Sequence, residues 1–134
     1  MTLAAATDVS EELRQLWDAA LSALAATRGG PELLAEALPT SPDPLAAIVA
    51  EGGLFLERRD DVVIGFAVVR ECTIVGVYVT PAARGGGVAR AMATDLFAMA
   101  EPPRDALALP GDRAMKSLYE SLGLKARLLT MRAE

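Results

Sequence analysis

The sequence contains no histidine, and that absence excludes several kinds of chemistry. Ser-His-Asp and Cys-His catalysis both require an imidazole, and imidazole is a common ligand of transition metals in proteins. We therefore expect no metal site and no catalytic triad. Cys72 is the only cysteine, so the chain cannot form an internal disulfide. Any catalysis must use carboxylates, tyrosine, lysine, the thiol, backbone groups or water.

Long apolar runs are also absent from the sequence. None approaches the roughly 20 residues that a membrane-spanning helix needs. Acidic residues stand near the N-terminus, where a signal peptide would carry positive charge. The single unpaired thiol fits the reducing conditions of the cytosol. These features predict a cytoplasmic protein without a membrane partner.

Basic residues are too few for a nucleic-acid partner, because the net charge is −5 and no basic stripe interleaved with aromatic residues offsets it. The charge is unevenly distributed along the chain. Residues 1–61 contain eleven acidic and four basic side chains, whereas residues 62–134 contain seven acidic and nine basic ones. The two halves could therefore attract ligands of different charge.

The residues that are present predict one mixed α/β domain over residues 1–134. An apolar content of 52% is sufficient for a single core. Hydrophobic periodicity, caps and turn residues mark the elements. Ser10, Asp43 and Asp112 are the expected helix caps. The expected core face of the first helix consists of Leu13, Leu16, Trp17, Ala20, Leu21 and Leu24. In order, the elements are an edge strand or irregular end at 2–6, a helix after Ser10 that ends by Gly29, helices at 32–38 and 43–51, strands at 54–58, 62–69 and 73–79, a helix from Val88, a strand at 106–109, a helix between Asp112 and Gly123, and a last strand at 124–132.

A strand, a glycine-rich turn and a helix follow one another in residues 73–100, and the rest of the chain can be arranged around them. The β-branched run is typical of a buried strand, and Pro81 ends it because proline cannot donate to a sheet ladder. The glycines at 85–87 precede the helix, whose first backbone N–H groups form a site for a phosphate-bearing ligand. An unoccupied tight turn is the alternative interpretation.

Spacing selects among the known phosphate-binding turns. The P-loop pattern G-x-x-x-x-G-K-[ST] is absent. The dinucleotide pattern G-x-G-x-x-G begins at Gly85 but meets Arg90, which is too bulky for close contact between helix and strand. The pattern that fits is R-x-x-G-x-A, formed by Arg84, Gly87 and Ala89.

Two segments resemble motifs of the GCN5-related N-acetyltransferase (GNAT) family. Residues 77–89, V-Y-V-T-P-A-A-R-G-G-G-V-A, are similar to its acetyl-CoA-binding motif. Residues 112–124, D-R-A-M-K-S-L-Y-E-S-L-G-L, are similar to its second motif, commonly N-x-x-A-x-x-L-Y-E-x-x-G-F. Two motifs in the correct order are more specific than either alone.

The resemblance covers about residues 54–132 and implies the GNAT fold. That fold is α/β (mixed α+β), with a central and mostly antiparallel sheet, one parallel β-α-β crossover and flanking helices. Residues 54–134 would form the cofactor-binding core. Residues 1–53 would form a variable helical region on the acceptor side.

The resemblance also assigns residues to the co-substrate, acetyl-CoA. The N–H groups of the glycine turn and of the helix start would bind the pyrophosphate of coenzyme A without a metal. The strand backbone would hydrogen-bond the pantetheine arm, Gly76 would tolerate a bulge beside it, and an N–H near Val77 or Tyr78 would polarise the thioester carbonyl. Asp112 stands where the family often has asparagine, and a carboxylate suits that place if it caps the helix. The complete set is Val77, Tyr78, Val79, Arg84, Gly85, Gly86, Gly87, Val88, Ala89 and Asp112.

Tyr119 occupies the family position of the general acid that protonates the leaving thiolate. A thiol with a pKa near ~8.5 and a phenol with a pKa near ~10 allow this transfer, whereas the alternative is a core tyrosine on an amphipathic helix. An amine acceptor with a pKa near ~10.4 must lose a proton before it attacks. Glu71 and Glu57 are the candidate bases, with Glu71 the one we assign, and a chain of water molecules would serve as well.

The sequence therefore predicts an acetyl-CoA-dependent N-acetyltransferase that acts on a primary amine by direct attack. The acceptor would be a small molecule or a peptide, and the acidic half of the chain favours a cationic one. Two alternatives stay open: a non-catalytic acyl-CoA-binding or sensing module of the same fold, and a small interaction domain whose glycine turn binds nothing. Only eleven residues follow Gly123, so either the acceptor cleft is incomplete or a second subunit completes it in a homodimer.

Overall fold

The order of strands in the sheet follows the order of the chain in the computed structural model, which describes residues 2–131 and 133. The elements are β1 (Thr2–Ala5), α1 (Glu11–Ala25), α2 (Gly30–Ala37), α3 (Pro44–Ala50), β2 (Leu54–Arg59), β3 (Val62–Arg70), β4 (Thr73–Val79), α4 (Val88–Phe97), β5 (Asp105–Ala106) and α5 (Arg113–Ser121). The sheet order is β1-β2-β3-β4-β5. Neighbouring strands are antiparallel except β4 and β5, which are parallel and joined through α4. This topology confirms the predicted fold class.

Two tight turns connect the antiparallel strands β2, β3 and β4. Asp60 and Asp61 connect β2 to β3 with φ values of 52° and 64°, and Glu71 and Cys72 connect β3 to β4 with φ values of 50° and 63°. Two successive residues with positive φ match the right-handed twist of paired strands. The hairpin predicted around residues 59–61 is confirmed.

Apolar clusters cover both faces of the sheet. Helix α1 contributes Leu13, Trp17 and Ala20 to one cluster, on the side predicted from its periodicity. Helix α4 contributes Val88, Met92, Ala93 and Leu96 to the other, together with Tyr119 from α5. No helix within the described residues combines the length and apolar character needed to span a bilayer.

Capping side chains determine where three of the helices begin. They are Ser10 on α1, Asp43 on α3 and Asp112 on α5, and each accepts a hydrogen bond from a backbone N–H three residues later. Asp43 also accepts two hydrogen bonds from the Arg14 guanidinium, at 3.1 and 2.8 Å, which joins α3 to α1. Helix α4 begins at Gly87, which provides no side-chain cap. Its first N–H groups, like those of α2 after Gly29, therefore lack the side-chain partner that α1, α3 and α5 have.

The C-terminal part of the chain differs from the prediction. Strand β5 contains two residues rather than the predicted 106–109, and residues 124–131 contain no strand. Residue 132, where the predicted last strand ends, lies outside the described residues. A strand needs a neighbour to pair with its backbone groups, and β5 offers too short an edge. Leu128, Leu129 and Met131 are consequently exposed.

Candidate functional site

The sheet opens between β4 and β5. The two strands pair only at Thr73 with Asp105 and at Ile74 with Ala106. One further bond follows, from the backbone N–H of Leu107 to the carbonyl oxygen of Ile74 at 2.9 Å. Beyond this point β4 continues to Val79 with pairing to β3. The backbone groups on the other edge of β4 thus face an opening.

A β-bulge lies at the start of this opening. Val69 pairs with Ile74 and Val68 pairs with Gly76, so Val75 is the additional residue on β4. A bulge bends the strand that carries it and increases the local twist. The bend turns the remainder of β4 away from β5. A Cβ atom built on Gly76 would meet no atom within 4 Å, so the space beside the bulge is open.

A cavity of about 220 Å³ occupies the opening. Its residues on the strand side include Gly76, Val77, Tyr78 and Arg84, and those on α5 include Asp112, Met115 and Tyr119. Residues 107–109 lie across from β4, and α1 and α2 close the cavity with apolar side chains. Motifs that are far apart in the sequence therefore meet at one cavity.

The glycine turn carries two residues that require glycine. Gly85 and Gly87 have φ values of 84° and 80°, in the left-handed region that L side chains rarely adopt. A Cβ atom built on either one would meet nothing within 4 Å, so the backbone conformation rather than crowding requires glycine here. The start of α4 combines free N–H groups, the positive end of the helix dipole and open space. That combination suits a phosphate group.

Arg84 ties this turn to the end of β4. Its Nε donates a hydrogen bond to the carbonyl oxygen of Val79 at 2.9 Å, and its guanidinium carbon lies 5.6 Å from the centre of the Tyr78 ring. The side chain is exposed and lines the cavity. A fixed positive charge thus stands where the strand backbone, the glycine turn and the cavity meet.

Tyr119 lines the cavity, although the residue is only 4% exposed and belongs to the apolar cluster that α4 forms. Within the described residues the buried Oη has no hydrogen-bond partner. Burial, and secondarily the Asp112 carboxylate, raise the pKa of Tyr119, so the phenol stays protonated near neutral pH. Asp112 accepts a hydrogen bond from the N–H of Met115 at 3.1 Å, which is the helix cap expected for a carboxylate at this position.

The two carboxylates considered as bases do not line the cavity. Glu71 is exposed in the turn between β3 and β4. Glu57 is 1% exposed on β2, and its Oε2 has no partner within the described residues. Burial, with a smaller contribution from the Asp95 carboxylate, raises the pKa of Glu57. Neither position gives a carboxylate direct access to the cavity.

Of the ten residues assigned to the co-substrate, Val77, Tyr78, Arg84 and Asp112 line the cavity, whereas Val79 and residues 85–89 lie along the adjacent turn and helix start. The prediction missed the opposite wall. Its residues on α1 and α2 are Trp17, Ala20, Leu21, Ala23, Leu24, Leu33 and Leu34, with Thr27 between the helices and Leu38 after α2. Helical periodicity had marked those of α1 other than Ala23 as core, because a cavity wall and a packed core have the same apolar pattern.

Solved structures with this fold are named as acetyltransferases. A protein from Agrobacterium tumefaciens str. C58 whose name proposes an acetyltransferase has a TM-score of 0.64 and 19% identity, with 100% of this chain and 99% of that chain covered. A ribosomal-protein-alanine N-acetyltransferase from Brucella melitensis biovar Abortus 2308 has a TM-score of 0.57 and 19% identity, with the same coverage. An aminoglycoside N-acetyltransferase in complex with CoA has a TM-score of 0.50 and 21% identity, with 92% of both chains covered.

These identities are low, so the structural likeness shows a shared fold. No curated protein sequence matches the chain. The model of the acetyltransferase (GNAT) family matches residues 11–124, which is most of the chain and includes both motifs. The protein therefore belongs to the acetyltransferase (GNAT) family.

Proposed function

We propose that this protein is an acetyl-CoA-dependent N-acetyltransferase that acetylates a primary amine by direct attack. The observation that carries the proposal is the cavity that is lined both by the open edge of β4 and by Tyr119 of α5. Family membership supports it, as do fold neighbours that are themselves named as N-acetyltransferases, one of them in complex with CoA. A small interaction domain with a non-binding glycine turn would have a blocked cleft, whereas the cleft of this protein is open.

The residues around the opening fit coenzyme A. The N–H groups of residues 85–89 would hold the pyrophosphate at the start of α4, where no side chain caps the helix. Arg84 adds a positive charge beside this turn, and the unpaired edge of Val77 and Val79 offers backbone groups to the pantetheine amides. Asp112 contributes by capping α5, which holds Tyr119 at the cavity.

When bound, acetyl-CoA supplies an activated acetyl group: the amine nitrogen bonds to the carbonyl carbon, the C–S bond breaks, the sulfur leaves as the thiol, and the protonated amine releases one net proton. A backbone N–H of Val77 or Tyr78 would stabilise negative charge on the carbonyl oxygen. Tyr119 Oη would donate a hydrogen bond to the departing sulfur, which becomes the thiol by taking, through water, one of the two protons that the amine loses. Because burial widens the gap between the pKa of Tyr119 and that of a thiol, hydrogen-bond donation costs less than complete proton transfer.

The proton of the attacking amine requires a second acceptor. Since Glu71 and Glu57 do not line the cavity, we propose that water carries this proton to bulk solvent. Asp112 does line the cavity, but its carboxylate is engaged by the N–H of Met115. The water route was one of the alternatives that the sequence left open, and it suits a site at an open sheet edge.

Thermal unfolding with acetyl-CoA tests the binding step. At roughly 100 times the Kd the co-substrate should raise the Tm by about 10 °C. Gly87→Glu should abolish this rise because it places a carboxylate at the start of α4. Gly52→Glu is the matched control: Gly52 has a φ value of 74°, and a Cβ there would also meet no atom within 4 Å, so strain and charge are the same away from the site.

Release of free thiol in the presence of amines tests the catalytic step. Turnover with any primary amine supports the transferase. A rise in Tm with no thiol release across alkyl, aryl and polyamine acceptors would instead support the non-catalytic acyl-CoA-binding module. No rise at millimolar acetyl-CoA would contradict both. The homodimer stays a prediction, which sedimentation velocity can test.

A further inference from the structure

The wall of the cavity that α1 and α2 form is apolar. Helices α1 and α2 contribute Trp17, Leu21, Leu24, Leu33 and Leu34 to it, and Leu38 follows α2. Thr27, between the two helices, is the polar residue of this wall, and its hydroxyl donates to the carbonyl oxygen of Ala23 at 2.9 Å. The wall continues across the sheet as a row of aromatic rings. Trp17 lies 5.8 Å from Phe66, and Phe66 lies 5.6 Å from Tyr78, measured between ring centres. All three rings line the cavity.

Charged groups are confined to the co-substrate side. Among the described lining residues, Arg84 and Asp112 are the ones that carry charge. Arg84 is bonded to the carbonyl oxygen of Val79, and Asp112 is bonded to the N–H of Met115. Neither belongs to α1 or α2, which close the cavity on the acceptor side.

The acidic residues of the N-terminal half lie outside the cavity lining. Asp43 is paired with Arg14, Glu51 is paired with Arg70, and Glu12 accepts a hydrogen bond from the backbone N–H of Val63 at 3.2 Å. None of the acidic residues of 1–61 lies in the cavity lining. Apart from Glu57, which is buried on β2, these carboxylates lie outside both the core and the cavity, and the cavity contains no carboxylate on α1 or α2 for a second ammonium group.

We infer that the acceptor is an amine carried on an apolar body, with its alkyl or aryl part against the wall formed by α1 and α2. The inference rests on the proposed function and specifies its substrate class. Burial of apolar surface against this wall is favourable, whereas burial of a second ammonium group without a partner is costly. A polyamine or an aminoglycoside would bring several such groups.

A longer acyl chain on coenzyme A has the same apolar chemistry and is the competing occupant. The reaction itself favours the acceptor. Whatever acyl group is transferred, the amine must reach the carbonyl carbon, and α1 and α2 form the wall across the cavity from β4. The pantetheine arm and the acetyl group would take the side of the cavity along β4, which leaves the wall formed by α1 and α2 to the acceptor.

Hexylamine and cadaverine are the probes, because they have the same number of heavy atoms and differ by a terminal methyl in place of an ammonium group. With acetyl-CoA, kcat/KM for hexylamine should exceed that for cadaverine by at least about 100-fold. Equal values, or a preference for cadaverine, would overturn the inference and leave the transferase intact. A comparable gain from hexanoyl-CoA with cadaverine would assign the wall to the acyl chain and likewise overturn it.

Binding is measured separately from turnover by the fluorescence of Trp17, the only tryptophan in the chain and a residue of the wall. In the presence of saturating CoA, hexylamine should change this fluorescence with a Kd at least about 10-fold lower than that of cadaverine. If neither amine is acetylated but hexylamine binds selectively, the proposed function fails while the apolar acceptor wall stands. If cadaverine binds as tightly, the inference fails whatever the turnover.

A substitution that adds a negative charge to the wall tests whether the wall determines the choice of acceptor. Leu34 lines the cavity without belonging to the buried core clusters, and glutamate is a good helix former. Leu34→Glu should lower kcat/KM for hexylamine by at least about 10-fold and raise that for cadaverine. Ala35→Glu, one residue further along α2 and exposed outside the lining, should leave both within about two-fold. Equal effects of the two substitutions would contradict a role of the wall in acceptor choice.

Discussion

Arg84 donates a hydrogen bond from Nε to the carbonyl oxygen of Val79, 2.9 Å away, across the turn that ends β4. The bond fixes the guanidinium beside the glycine turn and above the Tyr78 ring. The side chain is exposed, so its positive charge is available next to the turn where we propose that the pyrophosphate binds. The same side chain thus shapes the strand end and contributes to the electrostatics of the site.

Arg84→Ala should reduce the rise in Tm produced by acetyl-CoA by at least half, because a phosphate loses its nearby cation and the turn loses its tie to Val79. Differential scanning fluorimetry with and without acetyl-CoA measures the effect. Arg104→Ala, an exposed arginine outside the cavity lining, provides the same change of charge as a control. An undiminished rise in Arg84→Ala would remove Arg84 from the binding site.

Tyr119→Phe should lower kcat by about 100-fold while leaving folding intact. The hydroxyl has no protein partner within the described residues, so its removal leaves no group unpaired and the Tm should stay the same or rise slightly. Steady-state kinetics and thermal unfolding of the same preparation separate the two effects. Tyr78→Phe is the matched control on the other tyrosine of the chain, and kcat should change by less than about three-fold. A fully active Tyr119→Phe would assign Tyr119 to packing.

Glu71→Gln should leave kcat/KM within about two-fold of the natural protein, because the carboxylate is exposed in a turn outside the cavity lining. The pH profile of kcat/KM, measured between roughly pH 6 and pH 10, should also keep its shape if water removes the amine proton. A fall of about 100-fold together with loss of the acidic limb would identify Glu71 as the base and contradict the water route.

Glu57→Gln should raise thermal stability at pH 7.5, and the gain should shrink as the pH falls towards 5. Burial raises the pKa of Glu57 in the folded protein above its unfolded value. The folded state therefore binds more protons than the unfolded state, and stability declines as pH rises through the window between those two pKa values. Glutamine is uncharged, so it removes the free-energy cost of burying an ionised carboxylate. A Tm difference that does not depend on pH would contradict the assignment, and Glu71→Gln provides an exposed control.

Local sequence was sufficient for most of the elements, because their signals act within a few residues. Ser10, Asp43 and Asp112 cap the helices that they were expected to cap, and the apolar face of α1 is the one that packs. Positive φ at Gly85 and Gly87 follows from the need for glycine in a tight turn between strand and helix. The resemblance of two motifs then predicted the family that the match over residues 11–124 shows.

Errors appeared where a structure depends on distant partners. The alternation in residues 124–132 is suited to a strand, but the described part of this segment has no strand beside it to pair with. Glu57, the second candidate for the base, was chosen from its position near a strand end, and its role as a base stays untested. Its burial at 1% exposure outside the cavity lining follows from how the elements pack, and no local pattern reveals it.

The sequence by itself determined the side of the cavity where we propose that the donor binds: the glycine turn, the start of α4 and the tyrosine of α5 are encoded by short patterns whose chemistry is local. Only the tertiary structure decided the side that we propose for the acceptor. Leu24 and Leu34 have the periodicity of core residues, and they become a cavity wall because β4 bends at Val75 and parts from β5. Packing between elements, rather than the pattern within them, determines whether an apolar side chain faces a neighbour or a space for a ligand.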